Sequence, residues 1–143
     1  MKLKKYLTYK FGNYTGSLDG ILYMLKQSFM AATFRGFWQN WNPLWSFYLI
    51  FYVYKPINKL LSKNLSILLT FLISGFLHDC VAMLLMHQYS YKMTLFFFLL
   101  AIFVLIEKVL NFNIAKVPKL LRPIYHLTLI ALCLFPIFAE NIY

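Results

Sequence analysis

The sequence predicts an all-α integral membrane bundle of three to four spans, with an N-terminal amphipathic helix at the membrane interface. The chain of 143 residues is 62% hydrophobic and only 13% charged, whereas an average soluble domain is about half apolar and about a quarter charged. Its net charge of +10 accompanies long apolar segments and no RNA-binding motif. We therefore expect no nucleic-acid partner, and we expect the cations to lie beside anionic lipid headgroups.

Residues 1–16 form a basic N-terminal segment, and residues 17–143 are predicted to form one membrane domain. The domain opens with a helix over 17–36, in which Ser17 is a helix cap and Asp19 lies in the first turn. Apolar residues then recur at helical spacing: Leu18, Ile21, Leu22, Leu25, Phe29 and Ala32. This pattern indicates an amphipathic helix lying on the membrane or packed at its edge.

Residues 37–54 form an exceptionally aromatic segment, FWQNWNPLWSFYLIFYVY. In a helix, one face would carry Trp38, Trp41, Trp45, Tyr48 and Tyr52. Trp and Tyr favour the headgroup level of a membrane. Asn42-Pro43 is typical of a helix start, with asparagine as the cap and proline in the first turn. Lys55-Pro56 predicts that the helix breaks or kinks there.

Three further segments are predicted spans, over residues 65–86, 94–107 and 124–140. The first covers roughly 33 Å at about 1.5 Å per residue, enough for a hydrocarbon core of about 30 Å. The other two are shorter and strongly apolar, so they span when flanking residues are included.

The distribution of Lys and Arg decides between two topologies. If residues 37–54 cross the membrane, the cations divide evenly between its two sides. If residues 37–54 return to the side from which they enter, nearly all cations share one side and Lys92 lies alone opposite. The positive-inside rule favours this second, three-span arrangement, with a re-entrant or interfacial aromatic segment at the cytoplasmic face.

A polar stripe runs along the first of the three spans. It consists of Ser66, Thr70, Ser74 and His78, which recur every four residues. Such a face should look into the bundle or a cavity, because polar groups are costly in hydrocarbon. Two interpretations remain open: a packing seam in which His78 bonds a carbonyl, and a site in which His78 is a general base near neutral pH.

Other polar residues near this stripe have a structural and a functional interpretation each. Asp79 lies about a hundred degrees around the helix from His78, so it cannot readily orient that histidine and is expected to pair with a cation of another helix. Asn42 caps a helix or contributes to a site. Arg35 and Lys55 flank the aromatic segment and either snorkel to headgroups or bind an anionic ligand.

The sequence points to no metal or redox cofactor. Cys80 and Cys133 lie inside apolar segments without the spacing of a metal or disulfide motif. His78 and His126 offer a pair of axial haem ligands, but nothing else in the sequence supports haem. We expect no metal and no cofactor.

Three blocks in the order FWQNWNP, YVYKP and TFLISGFLHD resemble the membrane-bound O-acyltransferase superfamily. The likeness is strongest to its branch of diacylglycerol and sterol O-acyltransferases. The blocks cover about 45 residues, and only the C-terminal catalytic portion of the family's fold is represented.

The resemblance implies transfer of an acyl group from acyl-CoA to a hydroxyl acceptor. It implies that His78 is the catalytic base and that Asn42 is its polar partner, which positions the histidine, the thioester or the acceptor. With these, the substrate-binding candidates are Trp38, Trp41, Arg35, Lys55, Thr70, Ser74 and Asp79. Acyl-CoA is then a co-substrate, and a membrane lipid or another alcohol is the acceptor.

Family members usually have eight or more spans, and this chain has three or four. It is therefore expected to oligomerise, to work with a partner subunit, or to be a degenerate relative. The competing function is that of a non-catalytic membrane interaction protein. The small size favours a bacterial inner membrane over the endoplasmic reticulum.

Overall fold

The computed structural model describes residues 2–12, 17–87 and 90–139, which fold into helices joined by short connections. No strand occurs among them, so the all-α prediction is confirmed there. The α-helices are α1 (Leu3–Phe11), α2 (Leu18–Phe29), α3 (Phe34–Asn40), α4 (Pro43–Tyr48), α5 (Lys55–Leu60), α6 (Lys63–Met86), α7 (Lys92–Val109) and α8 (Arg122–Ala139). A π-helix over Leu49–Tyr54 precedes α5, and a 3₁₀ turn over Lys119–Leu121 precedes α8.

The hairpin of α6 and α7 is the framework of the fold. The two helices come closest at Gly75, where an added Cβ would lie 2.8 Å from the carbonyl oxygen of Met93 and 2.8 Å from the Cα of Thr94. Only glycine allows this approach, because a side chain there would collide with the backbone of α7. At the other end of the hairpin, the Lys108 ammonium donates to Oδ1 of Asn64 over 2.5 Å.

Helices α3 and α8 pack against this hairpin around a small apolar core. The buried members of that core are Phe34, Phe37, Ile67, Leu100, Val104 and Cys133. They come from α3, α6, α7 and α8, so these four helices share one packed centre.

Two polar groups join the α2–α3 connection to the end of α7 and the start of α8. The Glu107 carboxylate accepts from the backbone N–H groups of Phe34 at 2.6 Å and Arg35 at 3.1 Å. The Arg122 guanidinium donates to the Met30 carbonyl at 2.8 Å, at the end of α2. Both interactions satisfy backbone groups that helix ends leave unpaired. We call this end of the bundle the basic end, because Lys63, Lys108 and Arg122 lie there.

The aromatic segment starts and finishes at the basic end. It starts in α3, beside Glu107, and reaches the middle of α6, where the Trp45 indole donates to the Ser74 hydroxyl over 3.0 Å. It then returns through the π-helix and α5, and α6 begins shortly after at Lys63. The segment thus enters and leaves at the same end of the α6–α7 hairpin, which is the path that the three-span prediction requires.

The local predictions for the N-terminal half are partly right. Ser17 caps α2 as expected, with its hydroxyl accepting from the Gly20 N–H over 3.2 Å. The predicted helix over 17–36 is wrong in length, because α2 ends at Phe29 and the Thr33 hydroxyl caps a new helix, α3. On α2, Leu18, Ile21 and Leu22 remain exposed, as an interfacial apolar face requires.

Of the break or kink predicted at Lys55-Pro56, the break is wrong. The chain stays helical there, and the change from π-helix to α-helix falls at these two residues. Proline lacks the N–H that continues a helix, so the change of hydrogen-bond register at this point accommodates it. The break falls instead at Trp41 and Asn42, which interrupts the expected continuous aromatic face.

Helix α1 packs on the aromatic segment. The Tyr6 ring is buried, with its centroid 5.4 Å from that of Phe47. The Lys10 ammonium donates to Oδ1 of Asn40 over 3.0 Å, and burial lowers the pKa of this amine. The basic N-terminal segment is therefore partly folded against the rest of the chain.

Within the described ranges, two stretches are long and apolar enough to cross a membrane, α6 over Lys63–Met86 and the stretch Lys119–Ala139 that contains α8. Helix α7, the third predicted span, has charged residues at its ends, at Lys92, Glu107 and Lys108. The hairpin nevertheless places α7 directly beside α6. Large apolar side chains on the outside of α6, such as Phe76, Val81 and Leu84, are exposed and suit contact with lipid.

Candidate active site

A cavity of about 300 Å³ lies between the aromatic segment and the α6–α7 hairpin. It brings together most of the candidate residues, from α3, α6 and the turn between α3 and α4. Those that line it are Arg35, Trp38, Trp41, Asn42, Thr70, Ser74 and His78. Among the nine candidates, Lys55 and Asp79 are not part of its lining.

His78 presents one ring nitrogen for chemistry. Its Nδ1 lies 2.7 Å from the carbonyl oxygen of Ser74, one turn earlier in α6. A carbonyl oxygen only accepts, so Nδ1 carries the proton and donates. Nε2 therefore has the free lone pair, which is the form that a general base requires.

Two aromatic rings fix the orientation of the imidazole. The Phe97 ring is stacked on it with centroids 5.0 Å apart, and the Trp45 ring meets it edge-on at 5.6 Å. The Trp45 indole is held in turn by its hydrogen bond to Ser74. The residue nevertheless remains exposed on its open side, so a ligand can reach it.

Asn42 caps a helix and also lines the cavity. Its backbone is left-handed, with φ at 43°, a conformation that asparagine tolerates better than most residues. Its Oδ1 accepts from the backbone N–H of Trp45 over 3.2 Å and so caps α4. Since the cap occupies the oxygen, the Nδ2 amide is the group with which Asn42 can donate to a ligand in the cavity.

The two hydroxyls of the stripe that line the cavity are already engaged in hydrogen bonds. Thr70 donates to the Ser66 carbonyl over 2.6 Å within α6, and Ser74 accepts from Trp45. Their contribution to the cavity is therefore a small polar surface rather than a reactive group.

Arg35 joins the cavity to a second, more polar opening of about 470 Å³ at the basic end. That opening is also lined by Gln39, Glu107, Lys108, Asn111 and Asn113. Gln39 is shared by the two spaces as well, so the apolar cavity continues into a polar, amide-rich surface with two cations and one carboxylate.

A sequence model described as MBOAT, membrane-bound O-acyltransferase family, matches residues 19–132. The chain belongs to the membrane-bound O-acyltransferase family. No curated protein and no solved structure matches the chain.

Membership makes this protein membrane-associated and implies O-acyltransferase activity in general. The matched region contains the whole lining of the cavity, and helix α1 precedes it.

In this O-acyltransferase family member, Asp79 has different hydrogen-bond partners from those that the sequence predicts. It is buried, and its carboxylate accepts from the N–H groups of Met93 at 2.9 Å and Thr94 at 2.7 Å and from the Thr94 hydroxyl at 2.6 Å. The expected partner, a cation of another helix, is replaced by the first turn of α7. Unpaired N–H groups at a helix start attract a carboxylate, which explains this arrangement.

Lys55, a candidate for binding an anionic ligand, does not line the cavity. Its ammonium lies 3.9 Å from the centre of the Phe51 ring. Among the cations near this site, Arg35 and Lys108 are thus better placed to meet an anionic ligand.

Three residues that contribute to the site or to its support were not predicted as such from the sequence. Trp45 follows Asn42 by three residues, a helical spacing that could have placed it beside the site. Phe97 and Glu107 gave no signal of that kind, because their roles arise from the packing of α7 on α6 and α3. No group of three or more His, Cys, Asp or Glu residues that could hold a metal occurs in the described ranges.

Proposed function

We propose that this protein transfers an acyl group from acyl-CoA to a hydroxyl acceptor within the membrane, with Nε2 of His78 as the general base. One observation supports this assignment above others. The Nδ1 proton of His78 is bound to Ser74, so the basic nitrogen remains available in a cavity that also contains the Asn42 amide.

The reaction follows from this geometry. Nε2 accepts the proton of the acceptor hydroxyl while the hydroxyl oxygen attacks the carbonyl carbon of the thioester. A C–O bond forms, the C–S bond breaks, and the thiolate of CoA leaves. The imidazolium then returns its proton to the thiolate, so that His78 is regenerated.

Asn42 supplies the second function that acyl transfer needs. Negative charge develops on the carbonyl oxygen during the attack, and a fixed donor stabilises it. The Nδ2 amide is suited to that role because the cap bond to Trp45 holds the side chain in place. Loss of one such donor typically costs about 10²–10³-fold in rate.

The two connected spaces fit the two halves of an acyl-CoA. The apolar cavity has aromatic walls formed by residues such as Trp38 and Phe71, which suit an acyl chain. The opening at the basic end offers Arg35 and Lys108, which suit phosphate groups. We assign the polar part of the donor to that opening.

A lipid alcohol is the acceptor that the cavity favours. His78 lies in α6, one of the two helices suited to cross a membrane, and its exposed side opens between apolar walls. An acceptor dissolved in the bilayer reaches this point more easily than a sugar. The resemblance to diacylglycerol and sterol O-acyltransferases supports the same class of acceptor.

The stripe on α6 is poorly suited to the competing role of a helix–helix seam. Thr70 and His78 bond carbonyls of their own helix, and only Ser74 bonds another element. A seam held together by hydrogen bonds needs donors and acceptors that cross between helices.

The test is an assay of the full chain in liposomes. Oleoyl-CoA is supplied with diacylglycerol, cholesterol and a fatty alcohol, and both thiol release and acylated products are measured. We expect acceptor-dependent release by the wild type and none by His78→Gln. His87→Asn is the control, because His87 ends α6 in a left-handed conformation, which asparagine also adopts. Equal release by the wild type and His78→Gln would contradict the proposal.

A further inference from the structure

Asp79 and His78 are consecutive in α6 but face different surroundings. His78 lines the cavity, whereas the Asp79 carboxylate is buried against the first turn of α7. Three hydrogen bonds of 2.6–2.9 Å link this carboxylate to Met93 and Thr94. The first turn of α7 is thus held by the residue next to the proposed base.

Gly75, one turn before Asp79 in α6, allows α6 and the first turn of α7 to approach closely. Besides meeting the backbone of Met93 and Thr94, a Cβ at this position would lie 2.9 Å from the Cβ of Phe97. Two features therefore set the position of Phe97 relative to α6: the close approach at Gly75 and the hydrogen bonds of Asp79 to the first turn of α7.

Phe97 lies one turn after the residues that Asp79 holds, and its ring is stacked on His78 at 5.0 Å. The ring also contacts Trp38, with centroids 6.1 Å apart, and Phe71, at 6.4 Å. A shift of the first turn of α7 would move Phe97 and remove one of the three contacts that orient the imidazole, leaving the Nδ1 bond to Ser74 and the edge of Trp45.

We infer that Asp79 is a positioning residue for the proposed acyl transfer: it fixes the first turn of α7, which keeps Phe97 stacked on His78 and Nε2 directed into the cavity. This inference rests on the proposed function, and it assigns Asp79 no contact with either substrate. Removal of the carboxylate should misplace the base, and small misplacements reduce the rate of the chemical step far more than binding.

A spectroscopic test of this inference does not depend on activity. The full chain carries three histidines, so selective labelling of histidine in nanodiscs gives few resonances, and His78→Gln identifies that of His78. The ring current of Phe97 should displace it, and Phe97→Leu should remove the displacement. We expect Asp79→Ala to move the resonance in the same direction as Phe97→Leu. An unchanged resonance in Asp79→Ala would overturn the inference.

Two milder variants keep the test valid if Asp79→Ala does not fold. Asp79→Asn retains one oxygen, which can still accept both bonds from Thr94, so its resonance should lie between those of the wild type and Phe97→Leu. Thr94→Val removes one hydrogen bond and should cause a smaller shift in the same direction. Wild-type resonances in both variants would contradict the inference.

Kinetics separate positioning from general loss of stability. We expect Asp79→Ala to lower kcat by about ten- to a hundredfold with KM within about twofold, and Asp79→Asn to recover part of the loss. Ile114→Ala is the matched control, since it removes a buried side chain near the opposite end of α7. It should lower stability while kcat and the His78 resonance stay unchanged.

The outcomes distinguish the two proposals. A wild type without acyl transfer would contradict the proposed function, and the histidine resonance would still test whether Asp79 positions Phe97. An active wild type with an active, unshifted Asp79→Ala would overturn the inference alone.

Discussion

His78 and His126 are histidines of apolar helices, yet they have opposite surroundings. His126, in α8, is fully buried, and Nε2 donates to the Ala31 carbonyl over 3.1 Å. Its ring is stacked on Phe34, and its Nδ1 has no hydrogen-bond partner among the described residues. His78 instead uses Nδ1 for the backbone and presents Nε2 to a cavity.

Access to the basic nitrogen separates the two histidines. Both rings are fixed by one backbone carbonyl and by aromatic neighbours. Of the two, only His78 lines the cavity between the aromatic segment and the α6–α7 hairpin. The proposed function therefore assigns the role of base by access to the lone pair rather than by position in an apolar helix.

The largest expected effect is that of His78→Gln on activity. Removal of a general base costs about 10²–10⁴-fold in rate, and the exposed side of this residue limits the loss of stability to about 0.5 kcal/mol. Initial rates and thermal unfolding in the same liposomes measure both. A stable variant that keeps the wild-type rate would remove the distinction between the two histidines.

Asn42→Asp tests whether the cavity around His78 needs the amide donor of Asn42. Aspartate caps α4 as well as asparagine does but lacks the amide donor. We expect a loss of about 10²-fold in kcat with no decrease in thermal stability, whereas Asn42→Ala should lose both. If Asn42→Asp retains full activity, Asn42 acts only as a cap.

His126→Ala tests the other side of the comparison. It removes a buried ring and its hydrogen bond to Ala31, so the free energy of unfolding should fall by about 2–4 kcal/mol. The rate per folded molecule should change by less than about threefold. Denaturant titration and active-fraction assays give the two numbers, and a large loss of rate in fully folded protein would assign His126 to the site.

The smallest expected effect concerns Lys10, remote from both histidines. Burial lowers its pKa below the ordinary value of 10.5, so the unfolded chain binds more protons in the interval just below 10.5. The free energy of unfolding contributed by Lys10 should therefore rise with pH through that interval. The difference in unfolding free energy between wild type and Lys10→Gln measures this slope, and a difference independent of pH would contradict it.

Signals carried by neighbouring residues predicted much of this structure. The length of the apolar segment gave α6, and the caps at Ser17 and Asn42 gave the starts of α2 and α4. The spacing of Ser74 and His78 placed both on one face, and the structure brings both to the cavity.

Signals that depend on packing were missed. The carboxylates of Asp79 and Glu107 cap helices that are distant in sequence, and no local pattern names their partners. Phe97 reaches His78 only because Gly75 lets α7 approach α6. At Pro56 the chain stays helical, although the local rule for proline predicts a break or a kink. The π-helix that precedes this point, which no sequence pattern indicates, changes to an α-helix there.

The most direct test of the central claim is a matched pair of variants, His78→Gln and His126→Gln, assayed for acylated product in the same liposomes. The substitution is identical, so the surroundings of each histidine are the only difference. We predict that His78→Gln falls to the background rate while His126→Gln keeps the wild-type rate per folded molecule. Equal rates in the two variants, or loss of activity only in His126→Gln, would contradict the assignment of His78 as the base.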